Sequence, residues 1–442
     1  MRLAGPLAAA NLLQMLVYAI DVIFVARLGE RSLAASSLAV SLFGLVMWML
    51  SGLTGMVAAL IAAELGLARH AVREVRSSVR MALWLAVACG LGGMGVAVLG
   101  RPIMLATGQQ PALATAAGGF LRIIMWAMIP LQLTNVLRNF VSAVGRPLFA
   151  TAIAVLAIGV SVAANYTLVF GHFGAPALGL AGSAASTVLT SLVTLALYVL
   201  AISLDRRLRR YCVLGNWWRA EWHRLGELVR KGVPVAGNIL AEAGLFTGAA
   251  FLMGRIGAAQ LAGHSLALQV AALAFQVPFG LGQAATIRVG YHYGAGDPAA
   301  VGRAGWTAIA LGTAFMSVTA AVMLLAPGPL LSIYLDTAAP GNAALVRFAR
   351  QFLLVAAAFQ LFDGVQAVAA GSLRGLQDTR VPMALALFGY WLPGLGTAVA
   401  LGFYTPLAGL GIWIGLAVGL VAVAVLLLGR WSARARLGLL PG

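Results

Sequence analysis

The chain has 442 residues, of which 62% are hydrophobic and 9% charged. Soluble globular chains average about 45–50% apolar and about 25% charged residues, so this composition cannot supply a water-exposed surface. It excludes a soluble enzyme, and it excludes a disulfide-stapled scaffold: the two cysteines, Cys89 and Cys212, fall in an apolar run and an Arg-rich loop and make no metal-type pair. The chain reads as an integral membrane protein.

Apolar stretches of spanning length lie near 8–27, 38–63, 78–100, 115–137, 148–171 and 177–204, and again near 233–254, 261–287, 304–326, 348–373, 381–404 and 407–429. A span needs about 20 residues, so twelve of them leave only short connections. The expected fold is all-α, a polytopic bundle of twelve transmembrane helices with no appended soluble domain. Met1 and Arg2 run directly into the first stretch, without the short apolar core and cleavage site of a signal peptide, so that stretch counts as a span.

The formal charge is +17, from 29 basic residues against 12 acidic ones. In a soluble protein this would suggest nucleic acid, but position decides otherwise. With both termini inside, the cytoplasmic segments hold Arg2; Arg69, Arg73, Arg76 and Arg80; Arg138 and Arg146; eight basic residues from Arg206 to Lys231; Arg288 and Arg303; Arg374 and Arg380; and Arg430, Arg434 and Arg436. These are 22 of the 29, and the positive-inside rule therefore fixes the orientation with both termini cytoplasmic. Residues 205–232 read as a cytoplasmic amphipathic linker whose Trp and Arg side chains sit at headgroup level. The linker separates an N-terminal six-helix lobe, 1–204, from a C-terminal one, 233–442. No nucleic acid and no obligate protein partner is expected.

The two lobes repeat each other. Residues 6–66 set against 234–294 at a constant offset of 228 give 14 identities, among them Pro6/Pro234, Arg27/Arg255, Gly29/Gly257, Gly52/Gly280 and Gly66/Gly294. The echo returns as PALGL at 176–180 and PLAGL at 406–410. Six spans is an even number, so both copies enter the membrane in the same sense and are related by a pseudo-two-fold axis along its normal. Such halves suit alternating access rather than a fixed pore.

Three acidic residues fall inside spans: Asp21 in LVYAIDVIFVA, Glu242 in GNILAEAGLF and Asp363 in AFQLFDGVQAV. The other nine, among them Glu30, Glu64, Asp297, Asp336 and Asp378, belong to loops, the linker or span ends. None of the three has an Arg or Lys three or four positions away in its own helix, so a local ion pair does not explain it. An ionised carboxylate in a bilayer costs several kcal/mol unless neutralised, paired or hydrated, which makes each a functional residue by default. A desolvated carboxylate exchanges a proton, a sodium ion or an organic cation according to the side it faces. A single one of them, protonated and merely hydrogen-bonded, is the lesser reading, and all three being inert is weaker still.

Tyr18, Phe246, Phe359 and Phe362 lie beside these acids and offer cation–π surfaces, or simply helix packing. Pro6, Pro130, Pro234, Pro278 and Pro393 lie within or at the start of spans, where each can bend a helix. GLGGMG at 90–95 fits a dinucleotide pattern but follows no strand, so its glycines are read as helix packing. Asn165-Tyr166-Thr167 is a glycosylation sequon in an embedded position. His264 and His292 lack metal-site spacing and are placed at span ends. No HExxH, P-loop or catalytic dyad is present, so an enzyme is disfavoured.

HSLALQVAALAFQVPFGLGQAATIRVGYHYGAGD (264–297), FDGVQAVAAGSLRGLQDTRVP (362–382) and NYTLVFGHFGAPALGLAGSAAST (165–187) together resemble the multidrug and toxic compound extrusion (MATE) family, NorM-like branch. The resemblance runs over nearly the whole chain. It implies two bundles of six helices forming a V with a central cavity, and export of small organic cations against an inward flow of sodium ions or protons, without a cofactor. It implies that Glu242 and Asp363 form the second-lobe cation site, binding sodium if sodium is the coupling ion. Phe246 and Gln269 fall where the branch places substrate contacts, and Phe359 and Phe362 join them as aromatic neighbours. In the first lobe Asp21 matches the family's span-one acid, fifteen residues after Pro6, with Asn165 and Thr187 as its polar companions in binding the coupling ion or the drug. A further acid found in the DinF-like branch, four residues after the asparagine, is Val169 here, which leaves Asp21 with fewer negative neighbours.

A lipid-linked oligosaccharide flippase of related architecture remains the alternative; it would need several cationic cavity residues for a diphosphate. The ratio of 28 Arg to one Lys points to a GC-rich bacterial source and so to a bacterial inner membrane.

Overall fold

The protein is described from a computed structural model covering residues 3–68, 71–172, 174, 176–215, 217–334, 339 and 342–440. Arg2, Arg69 and Asp336, assigned above to connecting segments, lie outside the described residues, as does the side chain of Glu30.

Twelve helices among the described residues are long and apolar enough to cross a membrane. They are α1 (Ala4–Ala26), α2 (Arg31–Leu67), α3 (Val72–Val98), α4 (Pro111–Ala143), α5 (Leu148–Phe170), α6 (Leu180–Leu204), α7 (Trp222–Ile256), α8 (Ala259–Gly294), α9 (Pro298–Leu325), α10 (Ala343–Gly375), α11 (Arg380–Phe403) and α12 (Gly409–Ser432). The described residues contain no β-strand. All twelve expected stretches are helical, and several helices run well past the apolar limits. Hydropathy marks what lies in hydrocarbon, whereas caps and charged side-chain pairs decide where a helix ends.

α7 shows this clearly. It begins at Trp222, so the connection from the first lobe ends near residue 221 and not at 232. In its extra turns Lys231 pairs with Glu227 at 2.6 Å and Arg224 with Glu227 at 3.5 Å, i,i+4 and i,i+3 contacts that sustain a helix in water. The connection itself is fastened down. Arg76 donates to the Tyr211 carbonyl at 2.7 Å and the Trp84 indole to the Trp217 carbonyl at 3.0 Å. Arg80 of α3, buried, pairs with Glu221, which also accepts from Ser77. Trp218 and Trp222 remain exposed, as an interfacial segment requires.

The chain divides into two compact units, residues 9–236 and residues 1–8 with 237–442. The first turns of α1 therefore pack with the second unit, and the first turns of α7 with the first. Added methyls would show how tightly: on Gly232 one would meet the Leu53 backbone of α2, and on Gly280 of α8 one would fall 2.7 Å from Ala8 Cα. Gly52–Leu53 and Gly280–Leu281 are repeat-equivalent pairs, so the same stretch of the repeat receives the start of a helix in each unit.

In the first unit the GLGGMG run packs α3 against α4: a Cβ on Gly90 would sit 2.9 Å from Ile129 Cα, and one on Gly93 2.8 Å from the Met128 sulfur. The packing reading of that motif holds. In the second unit α10 is the central helix and the most deeply buried of the spans. It crosses α8 where Gly371 meets the backbone of Gly282, and Thr286 donates to the Gly371 carbonyl at 2.8 Å.

The prolines differ in effect. Pro130 follows a 3₁₀ turn at Met125–Ala127, and Pro393 lies in a widened π-type segment, Tyr390–Leu395, while Pro234 and Pro278 lie within continuous α-helices. A missing N–H at Pro130 and Pro393 is absorbed by a local change of winding.

Candidate functional site

The three intramembrane acids lie in two clusters, one in each unit. In the first unit α1 carries Asp21, half-buried. α5 presents Ser161 and Asn165 one turn apart on the same face, and α6 contributes Thr187. Asn165 Nδ2 donates to Asp21 Oδ1 at 2.7 Å, Ser161 Oγ to the same oxygen at 3.3 Å, and Thr187 Oγ1 to Oδ2 at 3.2 Å. Asn165 Oδ1 is buried with no hydrogen-bond partner among the described residues. The cluster is thus an oxygen-rich cradle of one carboxylate, two hydroxyls and a free amide oxygen, a donor set suited to a hard cation or a proton. Val169, one turn beyond Asn165, is buried and adds no charge.

In the second unit α7 carries Glu242 and α10 carries Asp363, which is 5% exposed. One side chain ties them together. Gln366 Nε2 donates to Glu242 Oε1 at 3.4 Å and to Asp363 Oδ1 at 3.3 Å. Gln366 Oε1 in turn accepts from the Tyr390 hydroxyl at 3.0 Å. No Arg or Lys forms an ion pair with either carboxylate among the described residues. Two acids that share one neutral amide can together hold a cation or a proton that neither holds as well alone.

Asp21, Asn165 and Thr187 are therefore brought together, and so are Glu242 and Asp363. Sequence reasoning missed Ser161, Gln366 and Tyr390. Ser161 and Gln366 were within reach of a periodicity argument, standing four residues before Asn165 and three after Asp363. Tyr390 comes from another helix, α11, and gave no local signal.

The aromatic residues divide. Phe359 is 1% exposed and stacks on Trp413 at 5.5 Å, so it belongs to the core of the second unit and offers no face to a substrate in this structure. Phe352, seven residues earlier on the same helix, stacks on the same indole at 5.6 Å. Phe246 is half-buried against that core, whereas Phe362 and Gln269 are exposed. His292 lies in the last turn of α8 and His264 in its second turn, both near the helix ends as expected, but His264 is 1% exposed and edge-on to Trp413 at 5.5 Å. No group of three His, Cys, Asp or Glu side chains that could hold a metal ion occurs among the described residues.

Twelve spanning helices in two like halves define an all-helical, multi-pass membrane protein. The MatE family model matches residues 6–167 and again 234–399, two matches that begin 228 residues apart, the offset of the internal repeat. The chain belongs to this family, the MATE transporters. A probable multidrug resistance protein NorM of Mesorhizobium japonicum is 45% identical over 98% of this chain and 93% of its own length. The multidrug resistance protein NorM of Burkholderia vietnamiensis is 38% identical over 98% and 93%. Among solved structures, the eukaryotic MATE transporter AtDTX14 superposes with a TM-score of 0.87 at 22% identity, covering 98% of this chain and 96% of that one. A MOP superfamily transporter from Pyrococcus furiosus, whose reverse pocket polarity is said to suggest a different function, gives 0.85 at 20% over 98% and 95%. These two structures share the fold.

Proposed function

We propose that the protein exports lipophilic organic cations from a bacterial cytoplasm across the inner membrane, with both termini cytoplasmic, by antiport with sodium ions or protons through alternating access. The observation that carries this is the pair Glu242 and Asp363, bridged by one glutamine and, among the described residues, in direct ion pair with no base. Such a pair takes up a cation when it faces one side and releases it when it faces the other. Glu242 and Asp363 are the principal site of the coupling ion, with sodium as cargo if sodium drives the exchange. The oxygen cradle of Asp21, Asn165 and Thr187 supports a second ion-binding role in the first unit. In this reading Phe246, Phe362 and Gln269 meet the drug, which their incomplete burial allows. That relatives at 38–45% identity are named multidrug resistance proteins supports drug export as the reading.

A flippase for lipid-linked diphosphates needs cationic side chains where this protein has Asp21, Glu242 and Asp363. The deciding experiment is ethidium efflux from proteoliposomes under an inward sodium gradient and, separately, an inward proton gradient. Efflux driven by one gradient and lost in Asp363→Asn establishes antiport and identifies the ion. Folded protein that moves no organic cation under either gradient sinks the proposal.

A further inference from the structure

We propose that the core of the second unit contains a hydrated polar file, formed by His264, Trp413 and Gln360, along which the coupling cation reaches Asp363 from the extracytoplasmic side. The inference rests on the reading of Asp363 as part of the cation site and adds the route to it.

The three side chains are 1%, 0% and 0% exposed. Their polar atoms His264 Nδ1 and Nε2, Trp413 Nε1 and Gln360 Oε1 have no hydrogen-bond partner among the described residues. Buried polar atoms are nearly always satisfied, and four unsatisfied ones within one core call for an occupant. Their chemistry names it. The indole N–H only donates, the amide oxygen only accepts, and a neutral imidazole does one of each. Water both donates and accepts, and it satisfies all of them at once where an apolar group satisfies none.

The geometry orders them. α8 and α10 advance in step: a Cβ on Gly263 would lie 3.1 Å from Ala349 N, the Ala271 carbonyl accepts from Gln360 Nε2 at 3.3 Å, and Gly282 meets Gly371. His264 is the sixth residue of α8, so it lies about 7.5 Å in from that helix end at 1.5 Å per residue. In the orientation proposed above, that end faces outward. Trp413 stands edge-on to His264 and stacks on both Phe352 and Phe359 of α10. Gln360 is three residues before Asp363, one turn away on the same helix face. From outside inward the sequence of polar groups is His264, Trp413, Gln360, Asp363 and the Gln366 bridge.

His264→Leu, Gln360→Leu and Trp413→Phe, each in proteoliposomes, test the route. In each variant the external concentration of driving cation that gives half-maximal efflux should rise about tenfold, as expected for loss of one hydrogen-bonding station. Equilibrium binding of the same cation to the solubilised variant should persist, because the acid pair is untouched. Unchanged half-saturation in all three folded variants overturns the proposal, and so does a loss of equilibrium binding in step with transport, which is the mark of a merely structural role. A second measurement reads hydration directly: exchange of the Trp413 indole proton into deuterated water, its resonance identified by its absence in Trp413→Phe. Exchange far faster than that of the α10 core amides supports the file, and equal protection overturns it. Asp363→Asn, run alongside, separates the two readings. A wild-type transport profile in that variant removes the cation site itself, while the exchange measurement judges the file alone.

Discussion

Tyr390 and Gln366 form a directed bond, the phenol O–H donating to Gln366 Oε1 at 3.0 Å, and this bond decides which way the amide faces. With its oxygen occupied, Gln366 can only turn Nε2 toward Glu242 and Asp363. Tyr390 opens the π-type segment around Pro393, so a helix irregularity holds the tyrosine that orients the glutamine. The carboxylates thus share a fixed donor, and the site's geometry depends on two side chains that carry no charge.

Gln366→Leu should therefore weaken the site without removing either acid. A hydrogen bond to a charged group contributes about 1.5–3 kcal/mol, so the half-saturating concentration of driving cation should change by at least about tenfold. Tyr390→Phe, which frees the amide to flip, should move it in the same direction by less. Titrating efflux against the imposed gradient checks both.

Asp363→Asn should abolish gradient-driven export and leave the fold intact. The asparagine keeps the shape and can still meet Gln366, but it cannot carry the charge that is exchanged. Circular dichroism and the melting temperature should match the wild type, and efflux at the wild-type rate would refute the assignment.

Asp21→Asn tests the first-unit cradle. Ser161, Asn165 and Thr187 remain in place around a neutral side chain, so the expected effect is a raised half-saturating concentration of the driving ion. A raised half-saturating concentration of ethidium alone would assign Asp21 to the drug instead.

Gly371→Val should compromise folding before function. The first added carbon falls on the backbone of Gly282, which cannot yield as a flexible side chain would. Overpacking of this kind costs on the order of 1–3 kcal/mol. The same crossing carries the Thr286 to Gly371 hydrogen bond, so lower yield and a lower melting temperature should accompany each other.

Glu221→Gln should loosen the connection between the halves. Arg80, 3% exposed, loses the charge it faces, while the exposed carboxylate side limits the penalty to about 1–3 kcal/mol. The melting temperature should fall, with the driving-ion dependence of efflux unchanged.

Much of this protein was written in its sequence. Twelve apolar stretches, a repeat at an offset of 228 and three acids without local counter-charges determined a polytopic helical fold in two like halves and pointed to its chemistry. Asn165 and Thr187 were legible beside Asp21 only through family resemblance, because contacts across helices leave no mark on local periodicity. That Phe359 turns into a stack with Trp413 and Phe352, that Tyr390 orients Gln366, and that α7 starts in the polar linker at Trp222 were decided by packing. The physical reason is one of scale. The bilayer acts on every residue of a span alike, so composition reports it; which side of a helix meets which neighbour depends on close fits such as Gly371 on Gly282, which exist only once the helices are assembled.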